Sequence, residues 1–447
     1  MIPTPKDNTH TNEDQPWGLD TRVGVMMASL MIGVLTGLAA IGFLSIVTWA
    51  VRLWDLQIPI DLSWSNLFQG YSITVIVCLL LAALVAGQIL TTLENGRPHG
   101  PADLILAAQR NEDPNLKAGF KSTALALTSL VGGGSVGMFG PLVHFGGCLS
   151  AGLRRWGSRL SPQLPKDIVL GSGAAAAISA AFLSPIGAAV FAHEAIVRRF
   201  GSFGAGPIIL AAFAGYWTAK LSIGHERLFD LAPTSPELTV ANIGLALVVG
   251  VSVGVASIIY IKAVTAAPNV AKASGIPLRW RPFLPACLLI LLSPALPHLL
   301  GPGLSSIDLA LSGQLGMSLV LVLIIFKILA TSACIGFGLF GGIFAPALFL
   351  GAMVGAVIDL SLVSLGVDSP HSFAMLGAAS CIAAVIGAPL ASIIMVFELT
   401  GSYEWTVLAM LSVVTTSQIS RAFVGRSLFD RQLALRGIQV RDDQAPK

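Results

Sequence analysis

The strongest limit on how this chain can fold is a set of long apolar runs that are nearly free of charge. The clearest of these runs cover residues 23–50, 71–93, 243–261 and 316–333. Each run is long enough to cross about 30 Å of hydrocarbon as a helix. A membrane β-barrel would instead show short segments of alternating hydrophobicity, which this sequence lacks. We therefore expect an all-α polytopic membrane protein that lies in a lipid bilayer.

The composition excludes most other classes of protein. Of the 447 residues, 54% are hydrophobic and only 11% are charged, whereas soluble proteins are about a quarter charged. A soluble enzyme of this length is therefore excluded. The net charge of +3 is small, so we expect no nucleic-acid partner. The apolar runs hold no cluster of carboxylates, histidines or cysteines, so we expect no enzymatic activity, no metal and no cofactor.

The basic residues predict the orientation in the membrane. Segments rich in lysine and arginine lie on the cytoplasmic side of membrane proteins. The basic residues of this chain gather at Arg154, Arg155, Arg159, Lys166, Arg198, Arg199, Lys272, Arg279, Arg281 and in the tail from Arg421 onward. Residues 1–22 are polar and lack the order of a secretory signal. We expect both termini to be cytoplasmic and the chain to lie in a cell inner (plasma) membrane.

An internal repeat, at an offset of about 205 residues, decides the architecture. Both halves contain, in the same order, a Phe-Lys pair, a glycine-rich run ending in proline, a second proline, and a glutamate. These features are Lys121, Pro141, Pro185 and Glu194 in the first half, and Lys327, Pro346, Pro389 and Glu398 in the second. Glycine and proline are common in transmembrane helices, but ordered matches at nearly one spacing indicate a duplication. Duplicated halves with broken helices are typical of transporters that bind near the membrane midplane.

The two glycine-rich runs are the candidate binding elements. Residues 132–141 read Gly-Gly-Gly-Ser-Val-Gly-Met-Phe-Gly-Pro, and residues 336–346 repeat the pattern and end in Ile-Phe-Ala-Pro. So many glycines destabilise a helix interior, whereas a proline suits the first helical turn. We therefore expect irregular chain followed by a helix that begins near Pro141. The alternative is that the glycines only permit close helix packing.

Two helix starts that converge would make a neutral anion site. The first N–H groups of a helix have no partner within the helix, and they lie at the positive end of its dipole. Such groups bind an anion without a cationic side chain, which suits rapid passage because the anion is not held too tightly. The ligands that we expect are the backbone amides of Phe139, Gly140, Ile343 and Phe344.

These motifs resemble those of the CLC family of chloride channels and chloride/proton exchangers. The family pattern is a glycine-rich run that ends in Gly-Arg-Glu-Gly-Pro, followed later by Gly-Ile-Phe-Ala-Pro. Residues 137–141 match the first motif in part, and residues 342–346 match the second completely. The resemblance implies a homodimer with one pore per subunit and two inverted repeats of broken, tilted helices. It covers about residues 25–435.

The resemblance also implies a division of the chain. We expect an N-terminal cytoplasmic segment at 1–22, a first transmembrane repeat at 23–224 and a second at 225–425. Residues 426–447 would hold a final helix and a short cytoplasmic tail, with no CBS domains. The implied transported species is chloride or another small monovalent anion.

The departures from the family pattern concern proton chemistry. Family exchangers place a glutamate in the first motif, where it acts as gate and proton carrier, and this chain has Phe139 there. Exchangers also have two successive glutamates, of which Glu194 matches the first and Ala195 replaces the second. We therefore expect a passive, voltage-gated-type chloride channel or uniporter that is not coupled to protons. The alternatives are a chloride/proton or other anion exchanger that uses non-standard residues such as His144, and a non-conducting membrane sensor.

The expected pore residues leave selectivity open. Phe139 either gates or plugs the pore or packs away from the path, and Met138 lies beside it in sequence. The family places a tyrosine near the start of the last helix, where this chain has Phe429. The family's serine turn is replaced by a segment with Arg97 and His99, both of which we expect at the surface. The sequence does not rank chloride, fluoride, bromide and nitrate.

Two acids end repeat-related helices. Glu194 and Glu398 would lie at the negative end of a helix dipole, which disfavours an acid. Each is therefore expected to have a hydrogen-bonding or basic partner and a structural role. Lys121 and Lys327 are candidates either for these partners or for electrostatic aids to the anion, and the sequence does not decide between the two roles.

Overall fold

The computed structural model consists of helices and connecting segments. It describes residues 19–54, 58–61, 72–156, 164–200, 202–223, 236–367 and 373–438. The helices of the first half are α1 (Leu19–Leu53), α2 (Ile73–Thr91), α3 (Pro101–Gln109), α4 (Leu116–Val131), α5 (Phe139–Trp156), α6 (Lys166–Phe182), α7 (Pro185–Phe191) and α8 (Ser202–Ile223). A π-helical segment, Ala192–Val197, continues α7.

The second half contains the same series of elements. Its helices are α9 (Val240–Ala273), α10 (Phe283–Leu292), α11 (Leu304–Leu311), α12 (Met317–Phe337), α13 (Phe344–Ser364), α14 (Phe373–Ile386), α15 (Pro389–Thr400) and α16 (Tyr403–Val424), and α17 (Leu428–Ala434) follows. Each helix from α1 to α8 thus has a counterpart from α9 to α16 in the same order.

Paired glycines strengthen this correspondence. Gly33 and Gly37 on α1 pack against α8, and Gly250 and Gly254 on α9 pack against α16. A Cβ atom on Gly33 would lie 2.5 Å from the Ala211 carbonyl oxygen, so these helices approach too closely for a larger residue. Small residues four apart are a known means of close packing between membrane helices. The sequence analysis missed this second sign of the duplication.

Helix lengths divide the fold into crossing and partial elements. Six helical stretches in the described part of the chain are long and apolar enough to cross a membrane, at Arg22–Leu53, Ile73–Thr91, Val240–Ala273, Met317–Phe337, Phe344–Ser364 and Tyr403–Ala434. In contrast, α3 has nine residues and α11 has eight, too few to cross about 30 Å of hydrocarbon. The ends of such short helices are tolerated at membrane depth only where protein surrounds them.

The core is formed by helices that are apolar on every side. Every residue of α6 from Asp167 to Phe182 is buried, and α14 is buried almost throughout. Helices that are hydrophobic all round are typical of the interior of a membrane bundle. Long helices such as α2 expose leucines on their outer face, as with Leu81. The starts of α3, α5 and α13 are buried in this helical core.

Candidate anion site

The two glycine-rich runs meet directly at Gly137 and Gly342. The amide of Gly137 donates to the carbonyl of Gly342 at 2.7 Å, and the amide of Gly342 donates back at 2.6 Å. The two residues form an isolated antiparallel bridge. Gly137 and Gly342 occupy equivalent positions in the two repeats. The bridge therefore relates the two repeats by local two-fold symmetry. This is the geometry expected where inverted repeats meet.

The bridge leaves no room for side chains. A Cβ atom on Gly342 would lie 2.8 Å from the amide nitrogen of Gly140 and 2.9 Å from Cδ of Pro141. A Cβ atom on Gly137 would lie 3.0 Å from the amide nitrogen of Ala345. The absence of side chains at Gly137 and Gly342 therefore brings the starts of α5 and α13 together.

Both helices begin two residues before their proline. The first helical residues are Phe139 in α5 and Phe344 in α13, whereas the sequence predicted a start near Pro141. A proline in the first turn removes an N–H that would have no partner in the helix anyway. The structure thus brings together the segments that carry the four predicted amides. Gly140 lies so close to the second repeat that its Cβ atom would be 3.8 Å from the amide nitrogen of Ile343.

A cavity of about 380 Å³ reaches these helix starts. Its buried lining includes Gly140, Gly342, Ile343 and Phe429. Its more exposed lining carries the charged residues Arg97, Lys272, Arg281 and Arg436, together with Asp103, which is largely buried. Four cationic side chains against one carboxylate favour anions in this space.

Helix α3 also begins at this cavity, at Pro101. Asp103 in its first turn accepts from the Gly100 amide at 3.0 Å and forms ion pairs of 2.8 Å with Arg97 and with Arg436. Arg97, Arg436 and the Gly100 amide thus surround the Asp103 carboxylate with donors. Arg97 lines the cavity, and its side chain is 40% exposed there.

The predicted pore residues differ in their relation to the cavity. The ring of Phe139 is fully buried, is not part of the cavity lining, and packs on Phe182 with 4.3 Å between ring centroids. Met138 is buried beside it. Phe429 lines the cavity and lies 6.3 Å from the Phe344 ring, which also contacts Phe191 at 5.8 Å. Aromatic rings thus lie beside both helix starts.

The Ala195 position is closed in by protein. Ala195 is 2% exposed and lies in the π-helical segment after α7. Its carbonyl accepts from Nε of Arg198, whose guanidinium pairs with Asp430 at 2.6 Å. π-Helical segments within helices are often found at functional positions. Here the side chain at that position is a methyl group.

The two helix-end acids exchange partners between the repeats. Glu194 accepts from the amides of Leu390 and Ala391 at the start of α15. Glu398 accepts from the amides of Ile186 and Gly187 at the start of α7, and from the Ser184 hydroxyl. Each carboxylate thus caps the helix of the other repeat, where the dipole favours an acid.

The lysines that were candidate partners lie elsewhere. Lys121 donates to the carbonyl of Thr92, and Lys327 donates to the carbonyls of Leu299 and Gly301. Of the two roles left open for these lysines, direct pairing with Glu194 and Glu398 is not what the structure shows. Both lysines instead hold the loop that precedes a short helix of their own repeat.

One polar side chain near the site was missed by the sequence analysis. Tyr260 on α9 is 1% exposed, and its hydroxyl donates to the carbonyl of Ile343 at 3.2 Å. A lone tyrosine in an apolar run carries no sequence signal of its own. Only the fold brings it to the start of α13.

These features define a duplicated helical membrane protein with a cavity at the helix starts where its two halves meet. The sequence profile described as "Voltage gated chloride channel" matches residues 82–421, so the chain belongs to that family, the CLC family. This finding confirms the resemblance drawn from the motifs.

Known relatives agree with this assignment. The chain is 28% identical over 322 residues to the "Putative chloride channel protein ClcB-like" of Ralstonia nicotianae, covering 70% of this chain and 74% of the relative. It is 25% identical over 361 residues to the "Voltage-gated ClC-type chloride channel ClcB" of Salmonella typhimurium, covering 79% and 86%.

Solved structures confirm the predicted fold. A slow cyanobacterial Cl⁻/H⁺ antiporter is 19% identical with a TM-score of 0.73, and the match covers 92% of this chain and 98% of that one. A CLC-type fluoride/proton antiporter is 22% identical with a TM-score of 0.77, covering 93% and 99%. At these identities the likeness concerns the fold alone.

Proposed function

We propose that this protein is a passive pathway for small monovalent anions, chloride first among them, and that its flux is not coupled to protons. The proposal is supported by the electropositive cavity that leads to the starts of α5 and α13. An anion there would be held by the backbone amides of Phe139, Gly140, Ile343 and Phe344. Relatives named as chloride channels support chloride as the anion.

The observation that carries the uncoupled mechanism is the phenyl ring at position 139. Coupled exchange requires a side chain that takes up a proton and alternates with the anion at the site. A phenyl ring has no proton to exchange. It is also buried against Phe182 rather than in the cavity.

The other groups near the pathway are poor proton carriers for exchange. Ala195 has no ionisable group. Asp103, the one acid in the described cavity lining, is paired with Arg97 and Arg436, and both cations favour its ionised form. The pairing also ties up its oxygens, so Asp103 does not swing into the anion site without breaking two ion pairs.

The second candidate is an anion/proton exchanger that uses other residues. The solved structures with this fold include a Cl⁻/H⁺ and a fluoride/proton antiporter. The candidate proton carrier would be His144 on α5, which is buried with its ring centroid 6.4 Å from that of His99. That pair lies near Arg97, at the side of the cavity.

Vesicle flux measurements separate the two candidates. Purified protein in liposomes loaded with chloride is expected to release it when valinomycin balances the charge. A proton-sensitive electrode or dye should record no proton movement with that release. An inward proton flow in fixed ratio to chloride, or chloride uptake driven by a pH gradient, would support the exchanger instead. The absence of any flux would favour the non-conducting sensor.

We further propose a homodimer with one pathway per subunit, in a plasma or inner membrane, with both termini in the cytoplasm. The paired residues Ile186 and Leu390, on α7 and α15, are 58% and 52% exposed. These exposed side chains leave an apolar face that suits a partner subunit. Light scattering of the detergent-solubilised protein should give twice the mass of one chain. A mass equal to that of one chain would oppose the dimer.

A further inference from the structure

Tyr260 forms a hydrogen bond with the residue that caps α13. Its side chain is almost completely buried, and its hydroxyl donates to the Ile343 carbonyl at 3.2 Å. Ile343 is the N-cap of α13, and the same carbonyl accepts the first helical bond from the Ala347 amide at 3.1 Å. Both lone pairs of this oxygen therefore have a donor.

We propose that Tyr260 is a positioning residue of the anion site, because its hydroxyl orients and polarises the amide of Phe344. The inference rests on the proposed function, since it assigns a role at the same site. The Ile343 carbonyl and the Phe344 N–H are the two ends of one planar peptide unit. A bond that fixes the carbonyl end therefore also fixes the direction of the N–H end.

The same bond strengthens the amide as a donor. Hydrogen bonds in a chain polarise one another, an effect of about 10–30% per bond in condensed phases. The chain here runs from the Tyr260 hydroxyl through the peptide unit of Ile343 and Phe344 to the anion. It lies in a buried, apolar setting, where electrostatic effects are stronger than in water.

The first repeat lacks this support. Gly33 and Gly37 on α1 correspond to Gly250 and Gly254 on α9, and this register places Phe43 where α9 has Tyr260. A phenyl ring cannot donate to the equivalent carbonyl, that of Met138, which accepts the helical bond from the Leu142 amide at 3.2 Å. The two helix starts are therefore unequal, and Phe344 has the better amide.

The bond from Tyr260 also agrees with the absence of a hydroxyl at position 429, where the family has a tyrosine. Phe429 lines the cavity near Phe344 but has no donor group. The tyrosine hydroxyl that supports the site thus acts from behind the helix start rather than from the cavity. It improves an amide ligand and does not contact the anion.

The test is the variant Tyr260→Phe, which removes the hydroxyl and keeps the ring. Chloride binding to detergent-solubilised protein is measured by titration calorimetry, with thermal unfolding as a check on folding. The chloride Kd is expected to rise about 1.3- to 4.5-fold, which corresponds to the loss of about 10–30% of one hydrogen bond to a charged group. Bromide, which has lower charge density and forms weaker hydrogen bonds, should lose less affinity, so the preference for chloride falls. A purely structural role would leave that preference unchanged.

The matched control is Tyr216→Phe on α8, whose hydroxyl interacts with Lys220 at 3.1 Å and is not part of the site. A second arm replaces the tyrosines of the wild-type sequence with 3-fluorotyrosine, whose hydroxyl is a stronger donor. That protein should bind chloride more tightly, and this arm decides the matter if Tyr260→Phe does not fold. If Tyr260→Phe folds, an unchanged chloride Kd overturns the inference. If it does not fold, an unchanged chloride Kd of the fluorotyrosine protein overturns it. Wild-type protein that neither binds nor conducts chloride would instead overturn the proposed function.

Discussion

The phenyl ring of Phe139 lies against that of Phe182, with 4.3 Å between the ring centroids, at the first residue of α5. Phe139 thus occupies the position of the family's proton-carrying glutamate with an apolar group that packs into the core. The anion cavity ends at the neighbouring Gly140 and does not include the ring. In the proposed function, backbone amides therefore bind the anion and the side chain at position 139 carries no proton.

Replacing Phe139 by glutamate should make the flux depend on pH. In Phe139→Glu the new carboxylate lies at a helix start, where it competes with the anion for the amides until it is protonated. Chloride efflux from vesicles is expected to fall at high pH and recover at low pH, while wild-type efflux stays nearly constant. Phe139→Gln is the control, since it is polar but does not titrate in this range. A flat pH profile for Phe139→Glu would contradict this account of the position.

A methyl group at the glycine bridge should abolish anion binding. In Gly342→Ala the new Cβ would meet the Gly140 amide nitrogen at 2.8 Å, so the starts of α5 and α13 must move apart. Calorimetry should detect no chloride binding, or an affinity at least about ten-fold weaker, which is about 1.4 kcal/mol. Gly244→Ala on α9, where a Cβ meets nothing within 4 Å, should bind like wild type. Equal binding by both variants would show that the bridge does not shape the site.

Restoring a hydroxyl in the cavity should tighten binding. Phe429 is 2% exposed and lines the inner cavity, so Phe429→Tyr adds a donor where an anion would lie. A hydrogen bond to a charged group contributes about 1.5–3 kcal/mol, and we expect the chloride Kd to fall by about ten-fold or more. The control is Phe423→Tyr, at a side chain that is 66% exposed. A chloride Kd that does not fall in Phe429→Tyr would place the anion away from this residue.

Removing the charge of a capping glutamate should destabilise the protein without changing its selectivity. Glu398→Gln weakens the bonds from the amides of Ile186 and Gly187, at a cost of about 1–3 kcal/mol because these bonds involve a charged acceptor. Glu194→Gln should also destabilise the protein, because it weakens the cap on α15. The midpoint of thermal unfolding measures the effect of both substitutions. Glu237→Gln, at an exposed residue, is the control. Unchanged midpoints would show that the caps contribute little.

The sequence predicted the parts of the site that are local and missed those that depend on distant pairs. The glycine runs ending at Pro141 and Pro346 predict helix starts because glycine and proline act on their own turn of backbone. The repeat predicts that two such starts exist. Each helix start is predicted from residues that are near each other in the chain.

The missed contacts join residues that are far apart in sequence. Glu194 caps α15 nearly 200 residues later, and Arg97 is held at the cavity by Asp103, which also binds Arg436 more than 300 residues away. Hydrophobic patterns report which face of a helix is buried but not which partner a polar group finds there. The role of Tyr260 was hidden for the same reason.

Whether anions cross this protein without protons can be measured by recording chloride and protons at the same time. Wild-type protein in chloride-loaded liposomes is monitored with a chloride electrode and a pH electrode while valinomycin clamps the voltage. The account predicts chloride efflux that persists at all pH values from 5 to 8 with no proton movement above that of protein-free vesicles. Proton uptake in constant proportion to chloride release would contradict it.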